Sequence, residues 1–353
     1  MRALAAVWTY VADTSCRGYS PLYDRICRAV AESDAVLDLV SEAPPRGHHP
    51  VLLLAAVHHL LLGGLDHPLA AVYAGDADAD PGPLFVDLCL QRREELLGLL
   101  ATRHVSTNEV GRAAVLGPAL TTVAARLGPP LAHLDVGCSA GLNLLCDRYR
   151  LDYGPAGATG PADAPVRVTC EILGGAPPIA PALPPIAARV GLDRDPVDVD
   201  DDEQARWQLA CAWPDTGRLP RTRRALAEAR RAPPTLIRGD AVADVGAAIA
   251  GLPADATVVV TTTSVVAYLS PDQRAGFLEA LAAASRRRPI AWISAEGHGV
   301  VDLVPSDGAP SDERGVEANV VGLVTFRDGS ADAELLGYAH PHGLALDWLA
   351  PAP

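Results

Sequence analysis

Two hydrophobic patterns divide the chain near residue 128. Before that point apolar residues recur at helical spacing, as in Leu22, Ile26 and Val30. Further periodic stretches cover residues 51–62, 89–100 and 110–127. We find no convincing strand pattern before residue 130. The pattern therefore predicts an all-helical N-terminal cap domain over residues 1–127.

After Pro129-Pro130 short apolar runs alternate with helical stretches, which is typical of a parallel α/β sheet. Strands are predicted at 131–136, 188–192, 235–238, 257–261 and 290–294, and helices at 142–149 and 271–285. Asp328-Gly329 separates two apolar runs, 320–327 and 333–340, and predicts an antiparallel hairpin.

The predicted fold class is therefore α/β. We expect a seven-stranded methyltransferase-like Rossmann sheet over 128–353, mostly parallel with an antiparallel C-terminal hairpin. Insertions interrupt it at about 152–185 and 200–231, and the first of them includes a strand-like segment at 166–172.

Composition removes several functions. The net charge of −14 disfavours phosphate backbones and anionic membranes. All 29 basic residues are arginine, so no lysine Schiff base can form. Seven cysteines without a CxxC pair indicate neither disulfides nor zinc. The apolar run 51–62 is too short to span a bilayer, and the N-terminal residues lack a signal-peptide pattern. We expect a cytoplasmic protein without metal, nucleic acid or membrane partners.

The sharpest motif is D-x-G-x-S-x-G, formed by Asp135, Gly137, Ser139 and Gly141 between a predicted strand and helix. The glycines permit a tight turn and close ligand approach, and a helix N-terminus attracts anionic groups. A dinucleotide fingerprint would need glycine at 137, 139 and 142, and only the first fits. An ordinary strand–turn–helix is the alternative interpretation.

This motif resembles motif I of class I methyltransferases. The resemblance implies that S-adenosylmethionine (SAM) is the cofactor. It also implies that the loop cradles the methionine moiety of SAM and that the acidic residue organises the loop.

Three carboxylates are candidates for binding the ribose and the adenine of the cofactor. Asp193 ends the second predicted strand, where a carboxylate can accept both ribose hydroxyls, and Glu171 is the runner-up. Asp240, followed by Ala241, comes after the third strand, where the fold commonly bonds the adenine amino group. Each carboxylate could equally cap a turn or a helix.

Five side chains are candidates for handling the substrate. Asn108, Glu109 and Arg112 form a polar stretch that could orient a substrate carboxylate, although capping the following helix explains it equally well. Tyr268 follows the fourth strand and could position the acceptor or belong to the core. His298 follows the fifth strand and is a candidate general base.

Ordered blocks along nearly the whole chain resemble the bacterial domain-of-unknown-function-2332 family. They are Cys16–Tyr23, Pro50–His58 with His67–Leu69, Thr107–Arg112, Asp135–Asn143 with Asp147–Tyr149, Ala205–Trp207, Trp213-Pro214, Gly239–Ala241 and Ala267–Leu269. The resemblance implies the architecture and leaves the chemistry open. One departure is that residues 261–264 hold no histidine, which we would expect in relatives.

Three functions fit this sequence. The first is a SAM-dependent methyltransferase acting on a small molecule. The second is a methyltransferase-fold enzyme that closes a ring within SAM or another activated substrate. The third is a non-catalytic partner subunit. The sequence leaves homo- and hetero-oligomers open.

Overall fold

The computed structural model describes residues 2–313 and 315–351, which form two compact units. The helical unit comprises the chain up to Thr107 together with Asp198–Arg223 and Glu313–Val316. The sheet unit comprises Asn108–Val197, Arg224–Asp312 and the chain from Glu317 onwards. The sequence pattern predicts a single boundary at residue 127. The contacts instead place residues 108–127 with the sheet and return residues 198–223 to the helical unit.

Residues 2–107 hold helices and no strand. The helices are α1 (Arg2–Val11), α2 (Pro21–Ala31), α3 (Asp34–Glu42), α4 (Pro50–Leu62), α5 (Leu69–Ala74), α6 (Pro81–Gln91) and α7 (Arg93–Thr102). Helix α2 shows how the sequence sets their starts, because the Ser20 side chain accepts from the Tyr23 N–H and Pro21 follows the cap. Trp8, Tyr23 and Phe85 lie in the buried core of this unit.

The later elements alternate as the sequence predicted. The helices are α8 (Ala113–Leu127), α9 (Asp202–Ala210), α10 (Arg218–Arg231), α11 (Val245–Ala250) and α12 (Pro271–Ser285). The strands are β1 (Leu131–Val136), β2 (Arg150–Asp152), β3 (Ala158–Thr159), β4 (Arg167–Thr169), β5 (Glu171–Gly174), β6 (Ile186–Asp193), β7 (Thr235–Arg238), β8 (Thr257–Thr263), β9 (Ile290–Glu296), β10 (Asn319–Arg327), β11 (Ser330–Ala339) and β12 (Ala345–Trp348).

The main sheet has the strand order β5-β12-β11-β10-β9-β8-β1-β6-β7. Strands β7, β6, β1, β8 and β9 pair in parallel, and β10 and β11 continue the sheet antiparallel. All residues of β1 are buried, as expected for a central strand covered on both faces. The chain moves from β1 towards β7 and then crosses to β8, so the order reverses between β1 and β8.

The predicted mixed α/β fold and its C-terminal hairpin are confirmed, whereas the predicted count of seven strands is wrong. The sheet has nine, because β12 and β5 extend it beyond β11. The strand-like segment at 166–172 becomes β4, in a separate three-stranded sheet with β2 and β3, and the start of β5. The predicted helix at 142–149 is a 3₁₀-helix over Leu142–Arg148. Within the described residues, no helix has the length and apolar character needed to cross a membrane.

Candidate functional site

The candidate site lies at the carboxyl ends of β1, β6 and β8, where the strand order reverses. In open α/β sheets the loops after two strands diverge at such a point and leave a crevice for a ligand. The D-x-G-x-S-x-G motif falls here, because Asp135 is the second-to-last residue of β1 and the glycines follow it. The position of the motif therefore agrees with a ligand-binding role.

The loop 137–141, which we call the glycine loop, uses left-handed backbone at alternate positions. Gly137, Ser139 and Gly141 have φ angles of 74°, 52° and 68°. A Cβ on Gly137 would lie 2.4 Å from Val265 Cγ2, and one on Gly141 would lie 2.8 Å from Pro234 Cγ. Both glycines are thus required by backbone conformation and by packing. Ser139 adopts the same region with a side chain, which is uncommon.

Asp193 fixes the glycine loop to the end of β6. Its Oδ2 accepts from the Ser139 N–H at 2.8 Å, and its Oδ1 accepts from the Asp195 N–H at 2.9 Å. The Gly137 N–H donates to the Leu192 carbonyl. Glu171, the alternative ribose ligand, starts β5 at the opposite edge of the nine-stranded sheet. Of the two carboxylates, only Asp193 lies beside the glycine loop.

Asp135 is the buried acid of this site, with 2% of its surface exposed. Its Oδ1 accepts from the Thr261 hydroxyl at 2.7 Å, and Thr261 Oγ1 also lies 2.9 Å from His133 Nε2. Burial raises the pKa of Asp135 to about 7, against the opposing effects of the Thr261 hydrogen bond and the Arg112 charge. Burial lowers the pKa of His133 to about 3, so its ring is neutral at physiological pH.

The polar stretch 108–112 belongs to the sheet unit, where it supports the glycine loop and its surroundings. Asn108 Oδ1 accepts from the Leu142 N–H at 3.0 Å, directly after the glycine loop. Glu109 Oε1 accepts from the Gly111 N–H. Arg112 Nη1 donates to the Thr263 carbonyl at the end of β8 at 2.9 Å. Glu109 thus caps the short turn that begins at Val110, as the capping interpretation predicts. Asn108 instead bonds a backbone group 34 residues later, and Arg112 reaches the end of β8.

Asp240 closes the turn after β7. Its Oδ1 accepts from the Val242 and Ala243 N–H groups, and these bonds lower the pKa of Asp240. Its Oδ2 lies 3.6 Å from Arg194 Nε. The Ala241 N–H between them donates to no atom of the described residues. One carboxylate oxygen thus shapes the turn and the other lies on its outer side, near Arg194.

The two remaining candidates also follow the carboxyl ends of strands, Tyr268 after β8 and His298 after β9. Tyr268 is 84% exposed. His298 lines a cavity of about 220 Å³ beyond the end of β9, together with Glu296, Asp302 and Ser306. His298 Nδ1 lies 3.5 Å from Ser306 Oγ. Among the described residues, no side-chain hydrogen bond links Tyr268 or His298 to the group around Asp135.

Two acidic or basic side chains that the fold buries here are not among the site residues predicted from the sequence. Glu296, at the end of β9, is 1% exposed and accepts from the Val265 and Val266 N–H groups. Val265 also packs on Gly137, so Val265 connects Glu296 to the glycine loop. His133 is fully buried in β1. The available signal was a charged or polar residue within an apolar strand, which burial makes costly without a partner.

Comparisons with known proteins identify the family but no function. No curated protein and no solved structure matches the chain. In the described residues no group of three His, Cys, Asp or Glu side chains could hold a metal ion. One family model matches residues 5–348, which is nearly the whole chain. The chain therefore belongs to the family described as "Uncharacterized protein conserved in bacteria (DUF2332)".

Proposed function

We propose that this chain is a methyltransferase-like enzyme that binds S-adenosylmethionine at the carboxyl ends of β1 and β6. The observation that carries the proposal is the glycine loop at the point of strand reversal, tied to Asp193 through the Ser139 N–H. A small ligand at this point meets backbone on one side and a strand-end carboxylate on the other. This is the arrangement that a nucleoside with a charged tail requires.

The residues present fit the parts of that cofactor. Each oxygen of Asp193 holds one backbone N–H and retains a second lone pair, so both can accept a ribose hydroxyl. Asp240 Oδ2 and the Ala241 N–H lie after the neighbouring strand and offer an acceptor and a donor for the adenine edge. Gly137, Ser139 and Gly141 would surround the methionine part, with Asp135 beneath them.

The cofactor supplies an electrophilic methyl group on its sulfonium, so the protein has mainly to align the acceptor. The cavity beyond β9 supports an acceptor of small size. It has room for a molecule of roughly ten heavy atoms at about 20 Å³ each, and His298 on its wall would remove the acceptor's proton. Its lining of Glu296, Asp302 and Ser306 favours a polar acceptor over an apolar one.

Isothermal titration with SAM and S-adenosylhomocysteine tests the proposal. We expect micromolar dissociation constants for both. Asp193→Asn should weaken both by about tenfold, because it replaces a charged acceptor of two ribose hydroxyls with an amide. The matched control is Asp195→Asn, two residues away, whose side chain bonds Arg238. It should bind as the wild type does.

The result that overturns the proposal is an absence of binding of either ligand to the folded wild-type protein. Product analysis then separates two reactions of the same site. Methyl transfer releases S-adenosylhomocysteine from SAM. Ring closure within SAM would instead release methylthioadenosine and a cyclic product without any added acceptor.

A further inference from the structure

Three side chains from two strands form a continuous hydrogen-bonded chain beneath the glycine loop. His133 and Asp135 lie two residues apart on β1 and so share a face of the sheet. Thr261 on β8 pairs with Asp135 in the parallel register and shares that face. Its Oγ1 lies 2.9 Å from His133 Nε2 and 2.7 Å from Asp135 Oδ1. All three side chains are almost completely buried.

The directions of these bonds follow from the single proton of a hydroxyl group. Thr261 donates that proton to Asp135 Oδ1, so its oxygen must accept in the other bond. His133 therefore carries its proton on Nε2 and donates it to Thr261. The imidazole thus fixes which way the threonine hydroxyl points. The same interaction ties Asp135 Oδ1 to β8 and so fixes the orientation of the carboxylate.

The second oxygen of Asp135 has a different role. Within the part of the chain that the structure describes, Oδ2 accepts no hydrogen bond, although the side chain is 98% buried. The charged groups that act on it are Arg112, from the segment before α8, and Asp193, from the end of β6. Asp135 also acts on the buried thiol of Cys138, whose pKa burial raises. Asp135 keeps 2% of its surface exposed at this crevice, so an incoming donor could reach the acceptor that the protein leaves without a hydrogen bond.

We propose that His133 and Thr261 are positioning residues that aim Asp135 Oδ2 at the ammonium group of the cofactor's amino-acid tail. This inference rests on the proposed function. Thr261 anchors Oδ1 and so fixes the carboxylate plane, while an incoming ammonium donates to Oδ2. A cationic donor matches the site, because Asp135 is ionised when such a group is bound next to it. Recognition of the tail is then separate from recognition of the nucleoside by Asp193 and Asp240.

The separation can be measured with a pair of ligands. S-adenosylhomocysteine carries the amino-acid tail, and methylthioadenosine has the same nucleoside without it. Thr261→Val removes the hydroxyl while preserving shape. We expect it to weaken S-adenosylhomocysteine binding by about tenfold and to change methylthioadenosine binding less than twofold. His133→Leu should likewise weaken S-adenosylhomocysteine binding and leave methylthioadenosine binding nearly unchanged. His133→Gln keeps an N–H donor, so its affinity for S-adenosylhomocysteine should lie much closer to that of the wild type.

Thr257→Val is the matched control at the opposite end of β8. Among the described residues its hydroxyl bonds the Leu127 and Gly128 carbonyls, away from the glycine loop, so both ligands should bind as they do to the wild type. Equal weakening of both ligands in Thr261→Val would overturn the inference and indicate a structural role. An unchanged affinity ratio in all three site variants would also overturn it, while the proposed function would stand. Failure of the wild type to bind either ligand would overturn both.

Discussion

The ends of β1 and β9 each bury a carboxylic acid, and the two acids have different surroundings. Glu296 is 1% exposed and Asp135 is 2% exposed, so burial does not distinguish them. Glu296 accepts three hydrogen bonds from two backbone N–H groups, those of Val265 and Val266. Asp135 accepts one, from a side-chain hydroxyl. The acid at β9 is held by the segment after β8, whereas Oδ2 of the acid at β1 accepts no hydrogen bond within the described residues.

The hydrogen-bond partners thus distinguish a structural carboxylate, Glu296, from the carboxylate that we propose binds a ligand, Asp135. Backbone N–H groups cannot move away without unfolding the loop, so the Glu296 cap fixes the segment after β8. A hydroxyl held by a neutral histidine orients Asp135 without neutralising it. Burial raises the pKa of both acids, and only their hydrogen-bond partners show which one is available. Three substitutions test this comparison.

Glu296→Ala should have the largest effect, a loss of about 3 kcal/mol in the free energy of unfolding. The substitution removes the acceptor of two buried N–H groups and leaves a cavity, and each of those changes costs of order 1–3 kcal/mol. Urea unfolding measures the loss. Glu279→Ala, on the exposed side of α12, is the control and should cost less than about 0.5 kcal/mol. A loss below about 1 kcal/mol for Glu296→Ala would place Glu296 with Asp135 as an acid available to ligands.

Asp135→Asn should change how stability depends on pH. The native state raises the pKa of Asp135 from 3.8 to about 7, so between these values it binds more protons than the unfolded chain. Wild-type stability therefore falls as pH rises through this window, and the fall ends above pH 7. Between pH 5 and pH 8 this group accounts for about 2–3 kcal/mol, which Asn cannot contribute. Asn keeps an oxygen to accept from Thr261.

The measurement is urea unfolding of both proteins at pH 5, 6, 7 and 8. The stability of Asp135→Asn relative to the wild type should increase from pH 5 to pH 7 and level off towards pH 8. A constant difference would mean that Asp135 has the same proton affinity in both states. The acid at the end of β1 would then be as well compensated as an exposed carboxylate, and the comparison with Glu296 would fail.

Local signals predicted much of this fold. Strand β7 and helix α12 have the predicted bounds, since Pro234 and Gly239 flank the strand and Ser270 with Gln273 forms a capping box at the helix start. The Asp328-Gly329 hairpin is confirmed, with φ angles of 51° and 86° that such a turn requires. Each of these features depends on residues that are adjacent in sequence.

The features that the sequence did not predict depend on contacts between residues that are distant in the chain. Nothing in residues 171–174 indicates that β5 pairs with β12, which lies more than 160 residues later in the chain, so Glu171 could not be separated from Asp193 by sequence. The Asp135–Thr261 contact joins residues 126 positions apart. The motif around Gly137 identified the loop, but its hydrogen-bond partners came from other strands. The strand order decides which side chains meet at the carboxyl ends of the strands, and local sequence patterns do not encode the strand order.

Tyr268→Ala should have the smallest effect of the three substitutions. It tests whether the Glu296 hydrogen bonds are sufficient to fix the segment after β8. Tyr268 follows the residues that Glu296 caps, and its ring is 84% exposed. If the cap fixes this loop, removing the ring should change the free energy of unfolding by less than about 0.5 kcal/mol. SAM affinity measured by titration should stay within twofold. A loss above 1 kcal/mol would show that the ring itself holds the loop, and that the Glu296 cap is not sufficient to fix the end of β8.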